Sequence, residues 1–255
     1  MLSWQVAAIT HRGHVRPANE DAIAIDGHIL TGEMTKPFVL TVAPGICVLM
    51  IADGMGGHAR GALASRAALD HLVANANRLA DPATCAKAIQ KANDHLYEVM
   101  QAHPDATGMG STLAGAVLFL SGILTFNVGD SRSYLHTSDH LVQLSRDDVQ
   151  DRGTDASGHR LSHGITQALG GANFPVPVHP HINTDPPLAP GETLLLCTDG
   201  ITDMVPDKTI KDVLSWAPSP ERAVRDLAGR ALRAGGFDNL SLIVARLVET
   251  SDATD

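Results

Sequence analysis

A chain of 255 residues with 44% hydrophobic and 18% charged residues can bury a substantial core and is not a disordered composition. Its net charge of −9, with no run of Lys and Arg, argues against sequence-independent nucleic-acid binding, which needs clustered cations to neutralise phosphates. Three cysteines without paired ligand spacing argue against a thiolate metal centre. The lack of a basic leader or an apolar stretch near 18 residues makes a soluble, cytoplasmic protein the expectation.

Weak alternation over Trp4 to Thr10 predicts an edge strand, followed by a polar loop from His11 to Asp21. Ala22–Ile25 resumes as a strand, so Glu20 and Asp21 stand at its entry. Residues Gly27 to Gly45, with two prolines and three glycines, read as an irregular excursion. The continuous apolar run Cys47-Val48-Leu49-Met50-Ile51-Ala52 predicts a strand buried on both faces. It delivers Asp53 into the loop Gly54-Met55-Gly56-Gly57-His58, where glycines let backbone carbonyls approach a ligand.

Ala59 to Leu79 and Ala83 to Ala102 carry helical spacing, with Asp81-Pro82 as stop and cap between them. Gly108-Met109-Gly110-Ser111-Thr112 leads into short strands at Leu113–Leu120, Ile123–Val128, Ser133–His136 and Leu141–Leu144, with a hairpin turn at Ser121-Gly122. Asp130 lies at the end of the second. Arg146 to Gly164 is polar and aperiodic, hence a surface loop, and Asn173 to Pro190, with six prolines, an extended connection. Thr193–Cys197 is a second buried strand, ending in Thr198-Asp199-Gly200. Helices follow at Asp207–Trp216 and Pro220–Ala234, the latter capped by Ser219 and Gly235. Asp238-Asn239 then introduces a last strand, Leu240–Leu247, before a frayed tail.

Strands, a helix pair, a meander, then strand, helix pair and strand do not form a strict βαβ alternation. The order predicts one domain over 1–255, an α+β fold: a four-layer α/β/β/α sandwich, two antiparallel sheets flanked by helix pairs. Asp53, Asp130 and Asp199 each end an apolar strand, while Glu20, Asp21 and Asp238 each precede one. Singly, each is ordinary turn chemistry. Together they predict carboxylates meeting at one edge of the sandwich. Such a cluster needs cations, and all-oxygen donors select Mg²⁺ or Mn²⁺ over zinc.

The blocks Arg16-Pro17-Ala18-Asn19-Glu20-Asp21, Asp53-Gly54-Met55-Gly56-Gly57-His58, Gly108-Met109-Gly110-Ser111-Thr112-Leu113, Val128-Gly129-Asp130-Ser131-Arg132, Leu196-Cys197-Thr198-Asp199-Gly200 and Gly236-Phe237-Asp238-Asn239-Leu240-Ser241 resemble, in order, those of the bacterial protein phosphatase 2C type. This is the metal-dependent (PPM) serine/threonine phosphatase family, whose fold is the same sandwich. The resemblance implies that Asp53 bridges two Mn²⁺ or Mg²⁺ ions, with the Gly54 carbonyl a further ligand. It implies Asp199 and Asp238 as the remaining ligands of one ion. Glu20 would hold the other largely through water, with Asp21 orienting those waters. Asp130 would bind a possible third ion, and Arg16 the phosphate. The implied reaction is in-line attack of a metal-bridging hydroxide on phosphoserine or phosphothreonine in proteins.

Partners so implied are phosphorylated proteins and a cognate Ser/Thr kinase, in signalling; with no heptad or exposed apolar stripe in the sequence, a monomer is the expectation. The alternative is a catalytically silent relative serving as a signalling or scaffold module; a two-metal nuclease is opposed by the acidic surface. Two departures stand out. Met55 replaces the histidine by which eukaryotic relatives protonate the leaving group, leaving His58, which could equally be a helix-start residue, or a metal-bound water as the general acid. The flap-like loop over 146–164 opens with Asp147-Asp148 instead of Asp-His and is shorter.

Overall fold

The computed structural model describes residues 2–43, 45–56, 59–138, 140–150 and 164–249. Two six-stranded antiparallel sheets form its centre. The first sheet is built from β1 (Leu2–His11), β4 (Phe38–Val42), β10 (Arg132–His136), β11 (Leu141–Gln143), β16 (Thr193–Cys197) and β17 (Leu240–Glu249), in the order β11-β10-β16-β17-β1-β4. The second takes β2 (Ala22–Ile25), β3 (His28–Thr31), β5 (Cys47–Ala52), β8 (Leu113–Phe119), β9 (Gly122–Val128) and β15 (His181–Asp185), in the order β15-β9-β8-β5-β2-β3. Short ladders add β6 (Gly54–Met55), β7 (Gly110–Ser111) and β14 (Leu169–Gly170), and separately β12 (Val149–Gln150) with β13 (Gly164–Ile165).

Helices α1 (Ala59–Ala74) and α2 (Pro82–Ala102) pack on the second sheet; α3 (Asp199–Thr202), α4 (Asp207–Trp216) and α5 (Pro220–Arg233) pack on the first. Strand periodicity sorts the core into three layers. On β5, Cys47, Leu49 and Ile51 face the other sheet and meet Trp4, Val6 and Ala8 of β1. Val48, Met50 and Ala52 face Leu69, Leu72 and Ile89 of α1 and α2. Ala7 and Ile9 of β1 pack instead on Leu227 and Val224 of α5. Each sheet is thus covered on both faces, which explains why antiparallel strands carry continuous apolar runs. The expected α/β/β/α sandwich is the observed one.

Several local expectations need correction. β1 is no edge strand: it pairs along its full length with β17, Leu2 opposite Glu249 to His11 opposite Leu240, and on its other side with β4. Residues 27–45 are not irregular, since β3 and β4 lie there. The proline-rich connection contains β15, an edge strand paired with β9. The first helix ends at Ala74, before a short 3₁₀ turn at Ala76–Arg78. The fifth ends at Arg233, one residue early. Asp199-Gly200 opens the one-turn α3. The polar loop after Arg146 begins with the two-residue β12–β13 ladder; residues 151–163 and the tail beyond Glu249 lie outside the described residues.

The predicted caps form. Asp81 accepts from the Ala83 and Thr84 N–H groups at 3.1 Å each, and the Ser219 hydroxyl accepts from Arg222 N–H at 3.2 Å. The three cysteine thiols are buried, and burial pushes each up to about 12, so none is a poised thiolate.

Candidate active site

Strand register alone brings the acidic residues together. Ala22 of β2 lies opposite Ala52 of β5, so Asp21 just before the one and Asp53 just after the other leave the sheet at the same place. Ile51 opposite Ala114 and Leu113 opposite Val128 put Thr112 and the Gly129-Asp130 turn at that same end. In the other sheet, Cys197 opposite Leu242 and His11 opposite Leu240 place Asp199, Asp238 and the 12–20 loop there too.

Hydroxyls and amides hold each acidic segment. Asp53 donates its N–H to Thr112 Oγ1 at 3.0 Å, and its carbonyl accepts from Thr112 N–H at 2.9 Å and Ser111 Oγ at 3.0 Å. Thr112 Oγ1 lies 2.7 Å from Ser131 Oγ, linking the Asp53 loop to the Asp130 turn. Asn239, 4% exposed, ties the first loop to β17. Its amide donates to the carbonyls of Arg12 (3.0 Å) and Ala18 (2.8 Å), and its oxygen accepts from Glu20 N–H at 2.8 Å. Ser65 of α1 donates to the Glu20 carbonyl at 2.6 Å. Asp21 is buried, its Oδ2 accepting from Ser241 Oγ at 2.6 Å and Thr198 Oγ1 at 3.1 Å.

Two glycines set the closest approaches. A Cβ on Gly54 would run into the carbonyl oxygens of Gly61 and Glu20, and one on Gly61 would overlap Glu20 Oε2 and lie 2.7 Å from the Gly54 carbonyl oxygen. The Glu20 carboxylate therefore rests on the bare backbone of α1 beside the Gly54 carbonyl. Gly61, Asn239, Ser65, Thr198 and Ser241 are site-building residues to which sequence reasoning gave no role. Thr198, Asn239 and Ser241 lie in the family-like blocks around Asp199 and Asp238, whereas Gly61 and Ser65 are marked only by the small residues Gly61, Ala62, Ala64 and Ser65 at the start of α1.

The carboxylates lie within electrostatic reach of one another. Burial, reinforced by Asp21, Asp199, Asp238 and Asp130, holds the Asp53 carboxyl well above the usual carboxylate range. Burial, then Asp130, Asp238, Asp203 and Asp21, does the same to Asp199. Burial raises Asp21 to about 7 against the lowering hydrogen bonds from Ser241 and Thr198. Asp130 is raised to about 6, by burial first, with Asp147 and Asp203 adding to it. Arg16 is the cation at the cluster, its Nη2 2.6 Å from Asp238 Oδ2; that hydrogen bond raises its pKa. With side chains 55% and 35% exposed, this pair is worth at most about 1 kcal/mol and gives way readily to a stronger ligand.

The donor set fits hard divalent cations. It is all oxygen: five carboxylates and a close-set backbone carbonyl. Asp199 Oδ1 and Asp21 Oδ1 are buried with no hydrogen-bond partner. Among the described residues no three His, Cys, Asp or Glu side chains already close on one point. Glu20, Asp21, Asp53, Gly54, Asp130, Asp199, Asp238 and Arg16 thus assemble, whereas His58 lies outside the described residues. Asp147 is pinned to Arg132 by hydrogen bonds of 2.6 to 3.1 Å.

These raised carboxyls bind protons in the folded state that the unfolded chain releases near pH 4. Their contribution is complete below that range and is lost as pH rises through about 6 for Asp130 and about 7 for Asp21. In EDTA the thermal midpoint should fall from pH 5 to pH 8, and Mn²⁺ should raise it more at pH 7.5 than at pH 5.5. A scanning calorimeter reads both; a midpoint rising across that window contradicts the assignment.

Comparison with known proteins identifies the family. The family profile described as Protein phosphatase 2C matches residues 34–234. The serine/threonine protein phosphatase PstP of Mycobacterium tuberculosis is 35% identical over 97% of this chain, which spans 46% of that protein's length. The serine/threonine phosphatase stp of Listeria welshimeri is 30% identical, with 92% of each chain covered. The crystal structure of the PstP catalytic domain in complex with two manganese ions superposes with a TM-score of 0.77 and 30% identity, covering 98% of this chain and 100% of that one. With a profile covering most of the chain and relatives aligned over nearly all of it, this chain belongs to the protein phosphatase 2C family.

Proposed function

We propose that this chain is a Mn²⁺- or Mg²⁺-dependent phosphatase that hydrolyses phosphoserine and phosphothreonine in proteins, as one catalytic domain over residues 1–255. The observation that carries this reading is the convergence of Asp53, Asp130, Asp199, Asp238 and Asp21 in strand register at one end of the sandwich, beside Arg16. The relatives named serine/threonine phosphatases and the manganese named with the PstP structure support it.

In this reading Asp53 and the Gly54 carbonyl would hold divalent cations together with Asp199, Asp238 and Glu20, Asp21 would orient water, and Asp130 would hold a further cation. Two divalent cations held there supply Lewis acidity, activating water and drawing charge from the phosphoryl group. Arg16, released from Asp238, grips phosphate oxygens with its planar fork and fixes the phosphorus for in-line attack. The hydroxyls of Thr198 and Ser241, both bonded to its Oδ2, keep Asp21 aimed. With Met55 in place of the family's histidine, His58 or a bound water is the proposed donor to the leaving group.

Phosphorylated proteins are the substrates, a Ser/Thr kinase the opposing partner, and a cytoplasmic monomer in signalling the working form. Among the described residues no helix is long and apolar enough to cross a membrane. The test is hydrolysis of a phosphothreonine peptide, p-nitrophenyl phosphate and plasmid DNA by the purified chain, with Mn²⁺ or with EDTA. Release of phosphate from the first two only with Mn²⁺, and intact plasmid, is expected. Mn²⁺ binding without turnover would favour the silent module instead.

A further inference from the structure

Asp148, the residue that departs from the family's flap opening, joins four segments at the border of the site. Its carboxylate accepts from Gly129 N–H at 2.9 Å and from Gln167 Nε2 at 2.9 Å, and its Oδ1 lies 2.8 Å from His181 Nε2 on β15. Its own N–H donates to the Gly129 carbonyl at 3.0 Å, and its carbonyl accepts from Thr166 N–H at 2.8 Å. The side chain is only 12% exposed. Both backbone groups of Gly129 are therefore engaged by one residue.

Gly129 adopts φ +96°, and Thr112 Cγ2 lies 2.8 Å from where its Cβ would be, so no other residue fits this turn without strain. The turn's next residue is Asp130, which faces Asp199 and Asp203. A carboxylate sharing three donors, one of them an imidazole, forms short charge-assisted bonds and leaves the turn little freedom.

We propose that Asp148, held by His181 and Gln167, is a positioning residue that fixes the Gly129-Asp130 turn and thereby sets how tightly the Asp130 corner holds a divalent cation. This rests on the metal-dependent reading above. The alternative is that Asp148 only ties down the β12–β13 ladder through Thr166.

Mn²⁺ titration by calorimetry separates the two. Asp130→Ala identifies the binding step that belongs to this corner. Asp148→Ala should weaken that same step by about 10- to 100-fold, as loss of an outer-shell partner does, and leave the other steps within about twofold. Asp148→Asn, which keeps one acceptor for Gly129 N–H, should recover part of the loss. If Asp148→Ala does not fold, Asp148→Asn and His181→Gln carry the test, each weakening the step several-fold. Soluble variants with wild-type isotherms, or with every step weakened alike, overturn the inference, as does an Asp130→Ala isotherm that matches wild type. A wild-type protein that binds no Mn²⁺ overturns the metal reading and this inference together.

Discussion

Replacing Asp53 with asparagine should reduce hydrolysis of a phosphothreonine peptide by at least about 10³-fold in saturating Mn²⁺, because a single preorganised charge-stabilising group is worth about 10²- to 10³-fold and this one serves both cation positions. The carboxamide has the same shape, and the main-chain bonds of Asp53 to Thr112 and Ser111 remain. What is lost is the charge. That charge is disfavoured in the metal-free protein by burial and by Asp21, Asp199, Asp238 and Asp130. The variant should therefore melt in EDTA at neutral pH no lower than the wild type, which separates a chemical defect from unfolding. Steady-state kinetics with a thermal melt provide the check, and turnover within tenfold of wild type would remove Asp53 from the reaction.

Gly61→Ala is the second large effect, expected to lower kcat/KM by roughly 10²-fold, the upper range for loss of a supporting partner in a metal site. In an ordinary helix, glycine to alanine stabilises by about 1 kcal/mol. Here the new methyl group meets Glu20 Oε2 and the Gly54 carbonyl oxygen, and the second of these is backbone that cannot swing aside. Either the Glu20 carboxylate leaves its seat or α1 shifts away from β6, and both spread the oxygen donors. The readouts are the Mn²⁺ concentration for half-maximal activity, expected to rise, and helical content by circular dichroism, expected to hold. Unchanged kinetics would mean that the close approach of α1 to Glu20 has no part in the reaction.

The strands that end at Asp53 and Asp199 were legible because a continuous apolar run abutting an acid is a local pattern. The layer order followed from where the helices interrupt the strands. β3, β4 and β15 escaped because they lie at sheet edges, in glycine- or proline-bearing segments whose short sequences show no clean polar–apolar alternation, even where burial alternates as along β4. β1 looked like an edge because both its neighbours, β17 and β4, come from outside the stretch that encodes it.

The acids of the site were legible for the same local reason, but their supports were not. Gly61 reads as a weak point in an alanine-rich helix until Glu20 arrives from another part of the chain. Asn239 reads as a turn residue until its amide is seen holding Arg12, Ala18 and Glu20 together. Asp148 breaks the family pattern in sequence, and the histidine that partners it lies on β15, the unrecognised strand. Long-range hydrogen bonds leave no periodic trace.

The central claim is that carboxylates from both sheets close around a pair of divalent cations beside Arg16. A crystal grown with Mn²⁺ and measured at the manganese absorption edge tests it without reference to turnover. Two anomalous peaks bounded by Glu20, Asp53, Asp199 and Asp238 are predicted. A well-ordered site with no anomalous density between those side chains would contradict the account.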